Sequence, residues 1–236
     1  MQNSPINIMR NQRNLLATLS LVLLLHNLTL SVARAVEPSD NLPSPAIQQV
    51  IAAKLMANSP DGKFYPERMI SRAELAAILV KVFNLAQREP VKIQESQNVP
   101  DVPPSHWAFK DIQTVLKTDI MKGYRGNLFF PNQRVTRAEA LAIFAQAYGV
   151  FQFGDDIVNE ILDQHPDAES IPVWARKAIA TVVTEGLINT DDQNNILPLR
   201  PMTRGDMAYV LSQYLQRQQP QLEMSLTPDV IPPAEK

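Results

Sequence analysis

Three arginines stand in the same local setting. Arg72, Arg137 and Arg204 each follow a hydroxyl residue (Ser71, Thr136, Thr203) and come two residues before an acid (Glu74, Glu139, Asp206). A hydroxyl and an acid three apart make a capping box, in which each side chain satisfies an orphan amide at a helix start. A helix start carries unpaired amides and the positive end of the dipole, so it attracts anions. A guanidinium in that first turn can hold a carboxylate through two hydrogen bonds. Two tryptophans, Trp107 and Trp174, add large flat faces suited to packing. The chemistry such helix starts could do is anion binding. Arg at a helix start is disfavoured by a few tenths of a kcal/mol, so its threefold recurrence calls for a partner. Two partners remain open: an anionic ligand, or an acid of a neighbouring segment such as Asp101 or Asp167.

Other chemistry is sparse. His106 and His165 lack metal-ligand spacing. The run Asp191–Asn195 lacks the glycine and closing glutamate of an EF-hand loop. Asp155-Asp156 and Asp191-Asp192 read as loop acids, with a glycosidase carboxylate pair as the enzyme alternative. No P-loop, nucleophile elbow or zinc motif occurs, and there is no cysteine. No catalysis, cofactor or metal is expected.

The elements that must position these residues recur. The three arginines lie 65 and 67 residues apart, and a gap-free alignment on them superimposes much of the flanking sequence. Ile47, Ile112 and Ile179 coincide, as do Val50, Val115 and Val182, then Leu55, Ile120 and Leu187. Phe64, Phe129 and Ile196 follow, then Pro66, Pro131 and Pro198. The pattern predicts one helix–loop–helix unit used three times, each with too little core to stand alone. First helices are expected over Ala46–Asn58, Trp107–Met121 and Trp174–Gly186. Second helices are expected over Arg72–Leu85, from Thr136 onward, and over Arg204–Arg217. Ile157, Val158, Ile161 and Leu162 predict a short helix in the stretch between copies two and three.

The middle copy carries DVPPSHWAFKDI and GYRGNLFFPNQRVTRAEALAIF. Its HWA, GY, F-x-PN and TRAE elements closely resemble the S-layer homology (SLH) domain over roughly residues 43–216. Copy one keeps ISRAELA but has Leu42 where Trp107 would be; copy three keeps Trp174 but has Thr190 for Gly123. The resemblance implies an all-α fold of three repeats around a pseudo-threefold axis. It also implies grooves between repeats that bind wall-linked polysaccharide, commonly bearing ketal-pyruvate. Carried over by motif, the implied glycan-binding residues are Asp101, Trp107, Gly123 and Arg137 in copy two. Copy three contributes Asp167, Trp174 and Arg204, and copy one only Arg72. One competent groove, or two, is expected, with the Arg137 guanidinium open to solvent near Trp107 or a neighbouring repeat.

Residues 1–35 read as a secretory signal, with Arg10 and Arg13, the apolar run Leu15–Leu25, and the cleavage site Ala33-Arg34-Ala35. Cleavage there removes three arginines and no acid. The 22 basic and 24 acidic residues of the chain then become 19 and 24, a net charge of −5. A net-acidic chain without a basic cluster is a poor nucleic-acid binder. The expected organisation is signal 1–35, leader 36–45, repeat one 46–86, repeat two 99–150, insertion 151–166, repeat three 167–217 and disordered tail 218–236. The expected function is non-covalent attachment to cell-wall polysaccharide or peptidoglycan in the periplasm, envelope or cell surface. No transmembrane span remains after signal cleavage, and an envelope protein is a further candidate partner. The alternative is a protein–protein adaptor whose grooves no longer bind glycan.

Overall fold

The computed structural model describes residues 44–89 and 98–226, with side chains up to residue 218. The expected signal peptide, Leu42, most of the leader and the end of the tail lie outside the described residues. Seven α-helices occupy the described residues: α1 Pro45–Ala52, α2 Arg72–Val82, α3 Phe109–Lys117, α4 Arg137–Tyr148, α5 Asp155–Leu162, α6 Arg176–Thr184 and α7 Arg204–Leu226. No extended strand occurs among these residues, and no helix is long and apolar enough to cross a membrane.

Each first helix is shorter than its apolar pattern predicts. Lys54, Asp119 and Gly186, at one alignment position, turn left-handed (φ 58°, 57° and 62°), and α1, α3 and α6 stop just before them. The last helix differs in the other direction: α7 continues past Arg217 to Leu226, into the segment expected to be disordered. Gln, Leu, Glu and Met there are good helix formers.

The helices pack between repeats. The second helix of each copy lies against the first helix of the next: α2 on α3, α4 on α6, and α7 back on α1. The cycle closes around a short axis where Ile70 donates its N–H to the Met202 carbonyl, Met202 to Val135, and Val135 to Ile70. Isolated bridges Ser71–Arg134, Thr136–Pro201 and Thr203–Met69 repeat the same rotation. Phe83, Phe144 and Tyr214 meet edge to face at 5.1–6.0 Å where the second helices converge. The aligned Ile and Val positions are all buried, so the repeating apolar pattern is the core. α5 adds Val158 and Leu162 to a smaller cluster with Ile179 and Ile196.

Candidate functional site

The capped helix starts form as the spacing predicts. Ser71 and Glu74 exchange backbone N–H bonds, as do Thr136 and Glu139. Thr203 and Asp206 do the same with the shorter acid.

The arginines are placed otherwise than expected. Arg72, Arg137 and Arg204 are only 6%, 1% and 8% exposed; none extends into solvent. Each reaches into the loop of the next copy. The Nε of Arg72 donates to the Phe129 carbonyl at 2.8 Å and Nη2 to Lys122 at 2.7 Å. Arg137 donates to Ile196 at 2.7 Å and Asn189 at 2.5 Å. Arg204 donates to Phe64 at 2.8 Å and Ala57 at 2.6 Å. These acceptors are the same two alignment positions three times over. The helix-start amides are used in the same way: Arg72 and Ala73 donate to Gln133 and Pro131, Arg137 and Ala138 to Arg200 and Pro198, Arg204 and Gly205 to Arg68 and Pro66. The positive end of each dipole therefore faces backbone carbonyls of its neighbour. Burial lowers the pKa of all three guanidinium groups.

Of the three, among the described residues, Arg137 alone has an acid within ion-pair distance, Asp206 at 3.0 Å. Burial works to raise the Asp206 pKa. The Asn189 hydrogen bond, the Arg137 charge and the Thr203 donors outweigh burial and hold it below the usual aspartate value. Asp101 and Asp167, the acids considered as arginine partners, instead accept backbone amides. Asp101 accepts from Phe129 and Phe130, and Asp167 from Ile196 and Leu197, at 2.7–3.2 Å. Phe130 and Leu197 have φ of 55° and 57°, a strained setting for side chains of this kind. The carboxylates hold those turns in place. Sequence reasoning missed this role; the signal available was an acid 28–30 residues before each F-x-P or I-x-P turn.

Three of the expected site residues do come together, drawn from three different copies. A groove of about 610 Å³ is lined by Arg72 of copy one, Lys122, Gly123 and Tyr124 of copy two, and Trp174 and Lys177 of copy three. Trp174 is 63% exposed. The Arg72 guanidinium lies 4.8 Å from the Tyr124 ring centre, which fixes that ring as one wall. A Cβ at Gly123 would come 3.1 Å from the Leu128 carbonyl, so glycine lets the loop close there. Lys122 and Lys177, which sequence reasoning missed, carry the exposed charge. Their pairings with Asp119 at 3.8 Å and Asp155 at 3.1 Å are solvent-exposed and so easily exchanged. Trp107 lines a different groove, and Arg137 faces inward to copy three. Among the described residues no cluster of His or acids could hold a metal ion.

The sequence profile of the S-layer homology domain matches residues 36–76, 100–141 and 166–208. The chain belongs to the S-layer homology domain family. Its first SLH match begins inside the segment expected to be leader. The chain is similar to the "Surface-layer 125 kDa protein" of Lysinibacillus sphaericus, 29% identical over 174 residues. It is also similar to the "Cellulosome-anchoring protein" of Acetivibrio thermocellus, 28% identical over 168 residues. These matches cover 72% and 70% of the chain but 14% and 36% of the relatives. The "S-layer protein EA1" of Bacillus anthracis matches at 25% identity over 64% of the chain and 16% of its own length. The printed names of two of these relatives are those of a surface-layer protein and of an anchoring protein.

Proposed function

We propose that this chain is an exported, non-catalytic anchoring module that holds a wall-linked polysaccharide bearing anionic groups, in the groove lined by Arg72, Gly123 and Trp174 of the three copies. The carrying observation is the gathering of Arg72, Lys122, Gly123, Tyr124, Trp174 and Lys177 in that one groove. Trp174 and Tyr124 supply faces for sugar C–H surfaces. Lys122 and Lys177 supply mobile cations for a carboxylate such as ketal-pyruvate. Arg72, committed inward through Nε and Nη2, contributes field and rigidity. The names of the surface-layer and anchoring relatives support the same reading.

Sedimentation with purified wall sacculi tests it. The protein should pellet with intact sacculi, and less with sacculi stripped of secondary polymer or lacking pyruvylation. Trp174→Ala, and Lys122→Ala with Lys177→Ala, should each weaken binding about tenfold, and raised salt should weaken it further. Undiminished binding by the double lysine variant would sink the groove assignment. Undiminished binding to stripped sacculi would sink the polymer.

A further inference from the structure

Five of the eight methionines fall where side chains are described. Met56, Met121, Met202 and Met207 are 5%, 2%, 0% and 0% exposed and belong to the core. Met69 is 37% exposed. It lies just before α2 and lines a groove of about 670 Å³ together with Arg68, Glu74, Trp107 and Arg134. At the same alignment position copies two and three carry Arg134 and Pro201, so closure of the ring does not call for a methionine there.

The backbone fixes what stands beside the thioether. Ser71 and Arg134 form an antiparallel bridge. Side chains alternate along an extended segment, so Met69 and Ser71 share a face. Arg134, opposite Ser71, is then the diagonal neighbour of Met69, about 7–8 Å away, a span that two long side chains close. The Arg134 guanidinium makes no hydrogen bond or ion pair among the described residues. Arg68, by contrast, is paired with Glu74. A thioether is a weak acceptor, whereas a sulfoxide oxygen is polar and accepts well.

We propose that Met69 is a site of oxidation by peroxide and that its sulfoxide is held by Arg134. The sulfur lone pair attacks one peroxide oxygen. The S–O bond forms as the O–O bond breaks, and two electrons pass from sulfur to the oxidant. The departing hydroxide takes up the proton of the transferred oxygen and leaves as water. The product carries no net charge, so the balance of Arg68 and Arg134 against Glu67 and Glu74 in the groove is kept. An apolar wall becomes an acceptor, and Arg134 gains a partner. In the core the same oxygen would be a buried polar atom without a donor; at Met69 it meets solvent and a guanidinium. The site shares no lining residue with the Lys122–Lys177 groove and is independent of it.

The full chain is treated with hydrogen peroxide, quenched at intervals and mapped by peptide mass. Met69 should gain an oxygen at least about tenfold faster than Met56, Met121, Met202 and Met207. In the urea-unfolded chain the five should react alike. After oxidation the Arg134 Nε–H resonance should move, and its exchange with water should slow at least about threefold. In M69L, peroxide should leave that resonance unmoved. If M69L fails to fold, the wild-type time course decides: the resonance should move in step with Met69 oxidation. Equal rates for the five methionines in the folded chain overturn the site. An Arg134 resonance that stays put once Met69 is oxidised, moves out of step with it, or moves equally in M69L overturns the contact with Arg134.

Discussion

Arg137 sits in the first turn of α4, where its charge opposes the helix dipole by a few tenths of a kcal/mol. Its hydrogen bonds to Ile196, Asn189 and the Asp206 carboxylate belong to the charge-assisted class, worth about 1.5–3 kcal/mol each. The bonds win, and they explain an arginine in an unfavourable place. Removing it leaves two carbonyls without their donor, while Asp206 keeps Arg200, Asn189 and Thr203 as partners. Arg137→Met is therefore expected to cost about 2–4 kcal/mol, read from urea unfolding. A loss below about 1 kcal/mol would mean that the clamp is not load-carrying. In the sequence, a carbonyl clamp and an anion site look alike. They differ only in what lies opposite, and that lies 57 and 59 residues away for Arg72 and Arg137.

At the scale of elements, the caps were readable and the helix ends less so. Thr136 and Glu139 are neighbours in the chain, so their reciprocal bonds follow from local sequence alone. Thr136→Ala should cost about 1 kcal/mol, appearing as a lower urea midpoint with unchanged slope. An unchanged midpoint would show that the neighbouring loop, not the cap, fixes the start of α4. The first helices end early because Lys54 and Asp119 adopt left-handed backbone, and neither residue advertises that. Gly186 does, at the equivalent place. The binding grooves were harder to read. Motif matching grouped Trp107, Gly123 and Arg137 by copy, whereas packing of each second helix on the next copy's first helix regroups them across copies.

Among the described residues the three copies close into a ring rather than an open stack. Arg204 donates across 140 and 147 residues to Phe64 and Ala57, and α7 packs on α1. An open array can fray from its ends; a ring in which each copy completes its neighbour should unfold as one unit. Variants with Trp107 or Trp174 as the sole tryptophan should give coincident denaturation curves. Midpoints that separate by more than about 0.5 M urea would contradict ring-wide cooperativity.

The chain by itself determined the repeats, their apolar positions, the caps and the family, because these depend on spacing along one strand of sequence. Only the tertiary structure decided that the arginines face carbonyls, that Asp101 and Asp167 brace strained turns, and that Lys122 and Lys177 share a groove with Trp174. Those outcomes depend on which copy lies beside which, and cyclic packing brings together residues that no local spacing relates.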